Sequence, residues 1–334
     1  MGNWQTLPFG AVLLEQMATS SYRDGQWSEP RLVPSDRMDI SPAAHVLHYS
    51  STCFEGLKAY RWRDGSIHAF RMDMHVARMC RSAALLCLPE PPAELVARVI
   101  RMAVDAGRAG VPDLPAALYI RPTLIGTNGS IGSAGKGAEE ALLYVLVSPV
   151  GPYFKTGAKG LTVLLEQAAW RTTPGFGMAK TGANYASSLR RIMQAKREQD
   201  ADQIVFAPGG IVQETGAANV FLLAPERVLT PAKTEDFLHG VTRDSLLRLA
   251  ARQGYRTEER QISADELLRW CATSEIALSG TAAVLAGVGT VIADGVTHQL
   301  GDGGIGPVTA RLRQALVDIQ SGTAADELGW LTEM

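Results

Sequence analysis

The chain has 334 residues, 46% of them hydrophobic and 20% charged, which is enough material for two globular domains with sizeable cores. Lys and Arg total 32 against 34 Asp and Glu, and the resulting net charge of -2 lacks the basic excess of a nucleic-acid binder, so the expected ligand is a small molecule. Four scattered cysteines, Cys53, Cys80, Cys87 and Cys271, make neither a Cys-x-x-Cys pair nor a secreted framework, and a reducing cytoplasm is expected.

His45 and His48 lack the further cysteines or histidines of a zinc pattern, so no metal site is expected. No apolar run approaches the ~20 residues that span a bilayer, and no basic segment followed by a long apolar core opens the chain. Neither a membrane role nor export by a signal peptide is expected.

In chain order, Arg23-Asp24-Gly25 is a turn between candidate strands. Residues 45–70 read as a strand, then helix or loop, then a hairpin turning at Asp64-Gly65 into a strand over Ile67–Phe70. Apolar spacing predicts helices over Met74–Leu86, ended by Pro89, and over Ala93–Ala106, ended by Gly107. Strands are expected over 116–122 and 141–147, with the Gly- and Ser-rich loop Gly126–Gly137 dividing them.

Ser148-Pro149-Val150-Gly151-Pro152 breaks regular structure before a fresh strand at 160–165. The expected organisation is therefore a smaller N-terminal α/β domain over 1–150, a linker over 151–158 and a larger C-terminal domain over 159–334. In the second half, helix spacing covers Asn184–Gln199. Strands at 203–207 and 218–223 flank the turn Pro208-Gly209-Gly210 and are expected to pair antiparallel. A helix opens at Gly240 and stops at Gly254; strand 257–262, helix 264–270, strand 275–278 and helix 307–320 complete the pattern.

Chemistry concentrates around Met178-Ala179-Lys180-Thr181-Gly182-Ala183-Asn184-Tyr185. A loop lysine ahead of a helix can act as an amine nucleophile if a cation or an apolar wall lowers its pKa. Gly175, Gly177 and Gly182 leave room for a flat ligand, and Tyr185 could donate to an oxygen beside the amine. The stretch alone suits a surface lysine in a glycine-rich loop better. Gly240-Val241-Thr242 and Gly280-Thr281 are candidate phosphate cradles, with Thr242 also serving as a plain helix cap. Glu214 before the strand at 218 could hold a pyridine nitrogen protonated, or be an exposed turn residue.

Lysine, tyrosine, carboxylate and phosphate donors together make a set for pyridoxal 5'-phosphate, and at this point the sequence resembles the branched-chain amino acid aminotransferases, class IV pyridoxal-phosphate enzymes. The resemblance runs from Trp4 to Trp330. It is carried, in the family's order, by His48-Tyr49 with Phe54-Glu55-Gly56-Leu57-Lys58-Ala59-Tyr60, then Tyr119-Ile120-Arg121-Pro122 and Pro149-Val150-Gly151-Pro152-Tyr153-Phe154. Lys180–Ser188, Glu214–Asn219, Gly240–Arg243 and Gly280–Val284 follow.

The resemblance implies an α/β protein of the α+β type with two domains and the cofactor in the interdomain cleft. It implies Lys180 as Schiff-base lysine and proton carrier, Tyr185 on the ring hydroxyl and Glu214 on the ring nitrogen. Arg78, Val241, Thr242 and Thr281 would hold the phosphate. Tyr119 with the backbone at Thr281-Ala282 would take the alpha-carboxylate, Tyr49, Phe54 and Tyr153 would line the side-chain pocket, and Arg121 would meet a distal carboxylate. The implied reaction is ping-pong transfer of an amino group from a branched-chain L-amino acid to 2-oxoglutarate, in a homodimer whose site borrows the partner's Gly126–Gly137 loop.

Ala183 and His239 depart from the family pattern, where glycine and proline are usual, and Ala283–Gly287 lacks the paired cysteines of the mammalian enzymes. The alternatives are a class IV transaminase of D-amino acids or of an unusual amino acid, and a non-catalytic protein that binds the cofactor.

Overall fold

The computed structural model describes residues 9–151 and 159–334. Tyr153 and all but the first residue of the expected linker lie outside the described residues. The chain forms two compact units, one of Met1–Tyr153, Ala179–Gly182 and Ile319–Met334, the other of Phe154–Met178 and Ala183–Asp318.

The first unit begins with β1 (Gln16–Arg23), β2 (Gln26–Trp27), β3 (Arg31–Pro34), α1 (His45–Tyr49), β4 (Thr52–Phe54), β5 (Leu57–Arg61) and β6 (Ile67–Phe70). It continues with α2 (Met72–Leu85), α3 (Ala93–Ala106), β7 (Ala117–Gly126) and β8 (Ala141–Val150). The strands pair antiparallel in the order β6-β5-β7-β8-β1-β2, with β3 on β1 and β4 on β7. In α3 the residues Leu95, Val96, Val99, Ile100, Ala103 and Val104 recur at helical spacing and are all buried. With Met79 and Ala83 of α2 they cover the face of the sheet that carries Leu57, Leu118, Ile120, Leu124, Leu143 and Val145.

One expectation fails in this unit. His45–Tyr49 is a single helical turn, closed by Ser50 in the left-handed region at φ 53°, where a strand was expected. The buried His45 ring bonds Ser51 Oγ at 2.9 Å and the Ser133 carbonyl at 3.3 Å, contacts that an alternating pattern does not foretell.

The Phe54-Glu55-Gly56 segment is placed by the strand ladder. β4 and β5 lie on β7 in one unbroken register, Phe54 opposite Thr123 and Leu57 opposite Ile120, so Glu55 falls opposite Pro122. Pro122 has no N–H to give, yet loses nothing there, because the ladder is interrupted at that point and the Pro122 carbonyl accepts from Glu55 N at 2.8 Å. Alternation then sends Glu55 to the helix-covered side with Cys53 and Leu57, and Phe54 to the opposite face with Tyr119 and Arg121.

The second unit contains β9 (Leu161–Glu166), α4 (Gly182–Gln199), β10 (Gln203–Phe206), β11 (Asn219–Ala224), β12 (Arg227–Pro231) and α5 (Val241–Arg252). It continues with β13 (Arg256–Arg260), α6 (Ala264–Cys271), β14 (Glu275–Gly280), β15 (Val284–Ala293), β16 (Val296–Gln299) and α7 (Pro307–Gln320). Its sheet is mixed, in the order β10-β9-β15-β14-β11-β12-β13. Val163, Val220, Leu222, Leu229, Leu278 and Val288 join Leu267 of α6 in its core.

The expected antiparallel pair of β10 and β11 does not form. β10 runs parallel to β9, and β11 lies between β12 and β14. Gly209 and Gly210 at φ 62° and 80° turn the chain so that Phe206 N donates to the Glu214 carbonyl and Gln213 N to the Phe206 carbonyl. The far edge of β10 is thus taken by the segment that carries Glu214.

Two segments stand apart from the expected division at 150 and 159. Ala179–Gly182, with Lys180, packs with the N-terminal strands, and so does the C-terminal strand β17 (Leu331–Glu333), which pairs with β6. Trp330 is buried edge-on against Phe70, with the Arg71 guanidinium 5.1 Å from its ring centre. Helices on one face of an antiparallel sheet in one unit, and a mixed sheet with helices in the other, make the fold α+β.

Candidate active site

In the first unit Lys180 is pinned by its backbone. Its N–H donates to Ser82 Oγ on α2 at 3.1 Å, and its carbonyl accepts from Phe54 N at 3.0 Å. Its Nζ lies 4.9 Å from the centre of the Phe54 ring. The aromatic face gives Lys180 an apolar neighbour and a weak cation–π attraction for its charged form.

Behind Lys180, α2 presents His75, Arg78 and Ser82 on one face, all buried. Glu55, also buried, accepts from Arg78 Nε at 2.6 Å and Nη2 at 2.9 Å, from His75 Nδ1 at 2.7 Å and from Gly56 N at 3.2 Å. Burial alone would raise the Glu55 carboxyl, but the charge and hydrogen bonds of Arg78, then those of His75, hold it well below the usual carboxylate range. Burial lowers the His75 pKa; Glu55 opposes this, and the charges of Arg78 and Lys180 add to it.

On the other face of the sheet, Arg121 donates to the Tyr119 hydroxyl through Nη2 at 2.7 Å and Nε at 3.2 Å, and lies 4.7 Å from the centre of the Phe54 ring. Tyr119 is crossed edge-on by Phe9 at 4.8 Å. A β-carbon on Gly56 would come within 2.1 Å of the Tyr119 hydroxyl, so glycine is what lets that ring lie where it does. Tyr49, on α1, turns its hydroxyl to the Ile131 carbonyl in the loop after β7. Phe54, Tyr119, Arg121 and Lys180 are thus brought together, each half-buried; Tyr49 is held in a separate contact with the Gly126–Gly137 loop.

In the second unit Glu214 is buried beside Arg171, which is likewise buried, with Nη1 2.7 Å from Oε1. The approach is an ion pair and not an aligned hydrogen bond, since Nη1 has no hydrogen-bond partner among the described residues. Leu238 N donates to the same Glu214 oxygen at 3.1 Å, and Arg171 Nε donates to the Gly216 carbonyl at 3.2 Å. The Arg171 guanidinium lies 5.3 Å from the centre of the Tyr185 ring on α4, so one arginine backs both Glu214 and Tyr185.

Helix α5 starts at Val241 with Gly240 as its cap residue and no side chain capping its first N–H groups. Such an end favours an anion through its free N–H groups and dipole. A β-carbon on Gly240 would strike Asn219 Oδ1 at 2.1 Å, and Asn219 Nδ2 donates to the Leu238 carbonyl at 2.8 Å, so the approach to α5 is tied to the segment beside Glu214. Thr281 and Ala282 lie in the three-residue loop between β14 and β15, where Gly280 pairs with Val284. Val284 closes it in the left-handed region at φ 61°, an uncommon state for a β-branched residue. Ser279 Oγ, buried at the end of β14, has no hydrogen-bond partner among the described residues.

Arg171 and the His75–Glu55 support were not anticipated as functional. Arg171 reaches Glu214 only through the turn at 208–210, and no spacing rule connects them; for Glu55 the signal was available, since alternation about Phe54 points it toward α2.

This fold and this set of groups belong to a known class: residues 52–291 match the family model of the amino-transferases of class IV. The chain is 38% identical over 333 residues to a Streptomyces coelicolor protein named "Probable branched-chain-amino-acid aminotransferase", covering 97% of this chain and 91% of that one. It is 37% identical over 340 residues to the branched-chain-amino-acid aminotransferase of Mycobacterium tuberculosis, covering 98% and 92%. The crystal structure of the T.th. branched-chain amino acid aminotransferase with pyridoxamine 5'-phosphate superposes with a TM-score of 0.77 at 27% identity, over 94% of this chain and 97% of that one. The chain belongs to the branched-chain-amino-acid aminotransferase family of class IV.

Proposed function

We propose that the protein transfers the amino group of L-leucine, L-isoleucine or L-valine to 2-oxoglutarate, using pyridoxal 5'-phosphate. The donor chemistry fits that cofactor. The second unit offers a buried carboxylate, an uncapped helix start and a buried hydroxyl, Ser279 Oγ, with no hydrogen-bond partner among the described residues. The first offers a backbone-anchored lysine and a buried arginine. When bound, the cofactor supplies a carbonyl for the substrate amine and a sink for the electron pair left at the alpha carbon.

In this reading Lys180 is the catalytic residue: its Nζ takes the alpha proton of the amino acid, and gives a proton back in the reverse half-reaction. Glu214 keeps the ring nitrogen protonated and Tyr185 donates to the ring hydroxyl. Arg78, Val241, Thr242 and Thr281 hold the phosphate. Tyr119 with the backbone at Thr281-Ala282 takes the alpha-carboxylate, and Tyr49, Phe54 and Tyr153 line the side-chain pocket.

The observation that carries the substrate assignment is Arg121. Its guanidinium rests on an aromatic face and on a hydroxyl, with no carboxylate partner among the described residues. One cation set in an aromatic lining accepts an aliphatic side chain and, in the other half-reaction, a distal carboxylate.

We infer further that the protein works as a homodimer, the partner supplying its Gly126–Gly137 loop, and that it resides in the cytoplasm. The four cysteines are free, as in a reducing compartment. Among the described residues no helix is long and apolar enough to cross a membrane.

The test is an amino-donor screen with 2-oxoglutarate as acceptor. The three branched-chain L-amino acids are expected to be the best donors, and Lys180→Ala to abolish turnover. Preference for D-amino acids, or full turnover in Lys180→Ala, would overturn the reading.

A further inference from the structure

We infer that Glu55 is a positioning residue for the cofactor phosphate, acting through Arg78. This rests on the reading of Arg78 as a phosphate ligand. A guanidinium on a long side chain has rotamer entropy to lose before it can present its fork in one direction. Here the loss is taken in the folded protein, because Glu55 holds the Nε and Nη2 edge of Arg78 with two bonds of 2.6 and 2.9 Å. An in-plane grip on that edge fixes the guanidinium plane and the direction of the Nη1 end.

Glu55 is itself held on every side. Gly56 N and His75 Nδ1 donate to Oε2, and the continuous register of β4 and β5 on β7 fixes its backbone. A carboxylate with so many donors has one place to be, and Arg78 inherits that fixity. The same helix face carries Ser82, which fixes the backbone of Lys180. The two groups assigned to opposite ends of the cofactor are therefore referred to one helix, α2.

Two effects of Glu55 on a phosphate oppose each other. Its negative charge offsets that of Arg78 and so weakens the attraction, whereas its grip pre-organises the guanidinium. Orientation wins in a buried site, because a charged hydrogen bond is lost almost wholly when its donor points elsewhere, while the charge offset is partly made good by the neighbouring donors. Removing the Glu55 charge is thus expected to weaken phosphate binding.

Apo-protein prepared from the full-length holoenzyme is titrated with pyridoxal 5'-phosphate and, separately, with pyridoxal, which lacks the phosphate. Glu55→Gln is expected to weaken pyridoxal 5'-phosphate by about tenfold to a hundredfold and pyridoxal by less than about threefold. Glu55→Asp, which keeps the charge but withdraws it by one methylene, is expected to show the same selective loss and serves if the first variant does not fold. Equal losses for both ligands would reduce Glu55 to a structural residue, and unchanged or tighter pyridoxal 5'-phosphate would refute positioning outright. Arg78→Ala separates the two levels. If the wild-type preference for the phosphorylated ligand survives Arg78→Ala, the reading of Arg78 fails; if Arg78→Ala abolishes it while both Glu55 variants keep it, the inference about Glu55 fails alone.

Discussion

Arg171 and Glu214 face each other across 2.7 Å, both buried, and the same guanidinium lies against the Tyr185 ring. Taking one partner from a buried pair leaves an uncompensated charge, which costs about 3–5 kcal/mol. Arg171→Leu is expected to lose that much in denaturant unfolding, and Arg171→Leu with Glu214→Leu to recover a good part of it. A single variant as stable as the wild type would show that Glu214 does not depend on Arg171.

How far the sequence foretold this arrangement depends on whether the cause is local. Helices α3 and α7 are bounded as read, because apolar spacing and Pro or Gly punctuation act within a few residues. Strand β15 was not read as one: Gly287 and Gly289 interrupt its pattern. Their reason is tertiary, since a β-carbon on Gly289 would lie 2.2 Å from the Gly303 carbonyl oxygen and one on Gly287 would meet Ile305 at 3.2 Å. In the site, Lys180, Tyr185 and Glu214 were legible as side chains suited to a cofactor. The supports were not, because Arg171, His75 and Ser82 meet their partners only after the sheets have formed.

Acid should expose the His75–Glu55 pair in the folding equilibrium. His75 is held below its ordinary pKa by burial, so below about pH 6.5 the unfolded chain binds a proton that the folded chain refuses. Glu55, held low by Arg78, adds a loss of the same sign below about pH 4.3. Stability is expected to be full at neutral pH and to fall as pH drops through both values. His75→Gln should flatten the upper part of that fall in a series of thermal melts from pH 7.5 to 4, and an unchanged slope would show that His75 is not the group responsible.

The two half-reactions should respond differently at Arg121. Leucine and glutamate share an alpha-carboxylate, and only the dicarboxylate needs a cation at its far end. Arg121→Met is expected to lower kcat/KM for glutamate and 2-oxoglutarate by roughly tenfold to a thousandfold, at about 1.5–3 kcal/mol per charge-assisted bond. Leucine and isoleucine should change far less. Single-turnover measurements with each amino acid read this directly, and equal losses would make Arg121 a structural arginine.

Gly56 should give the opposite pattern, a loss common to both half-reactions. A β-carbon there would lie 2.1 Å from the Tyr119 hydroxyl and 2.9 Å from the ring carbon that bears it, so in Gly56→Ala the ring must move. Moving it withdraws the hydroxyl assigned to the alpha-carboxylate and also the acceptor that Arg121 uses at 2.7 Å. Overpacking of this kind costs about 1–3 kcal/mol of stability. Loss of one hydrogen bond to a charged substrate group, at about 1.5–3 kcal/mol, lowers kcat/KM by roughly tenfold to a hundredfold for leucine and glutamate alike. Combining Gly56→Ala with Tyr119→Phe separates the two consequences. Without the hydroxyl the closest clash is gone, so thermal stability should return toward the wild type, while activity should stay low because the carboxylate contact is absent in either case. If Gly56→Ala keeps normal kcat/KM with both substrates, Tyr119 does not bind the alpha-carboxylate; if the double variant regains activity along with stability, the loss came from distortion and not from the missing hydroxyl.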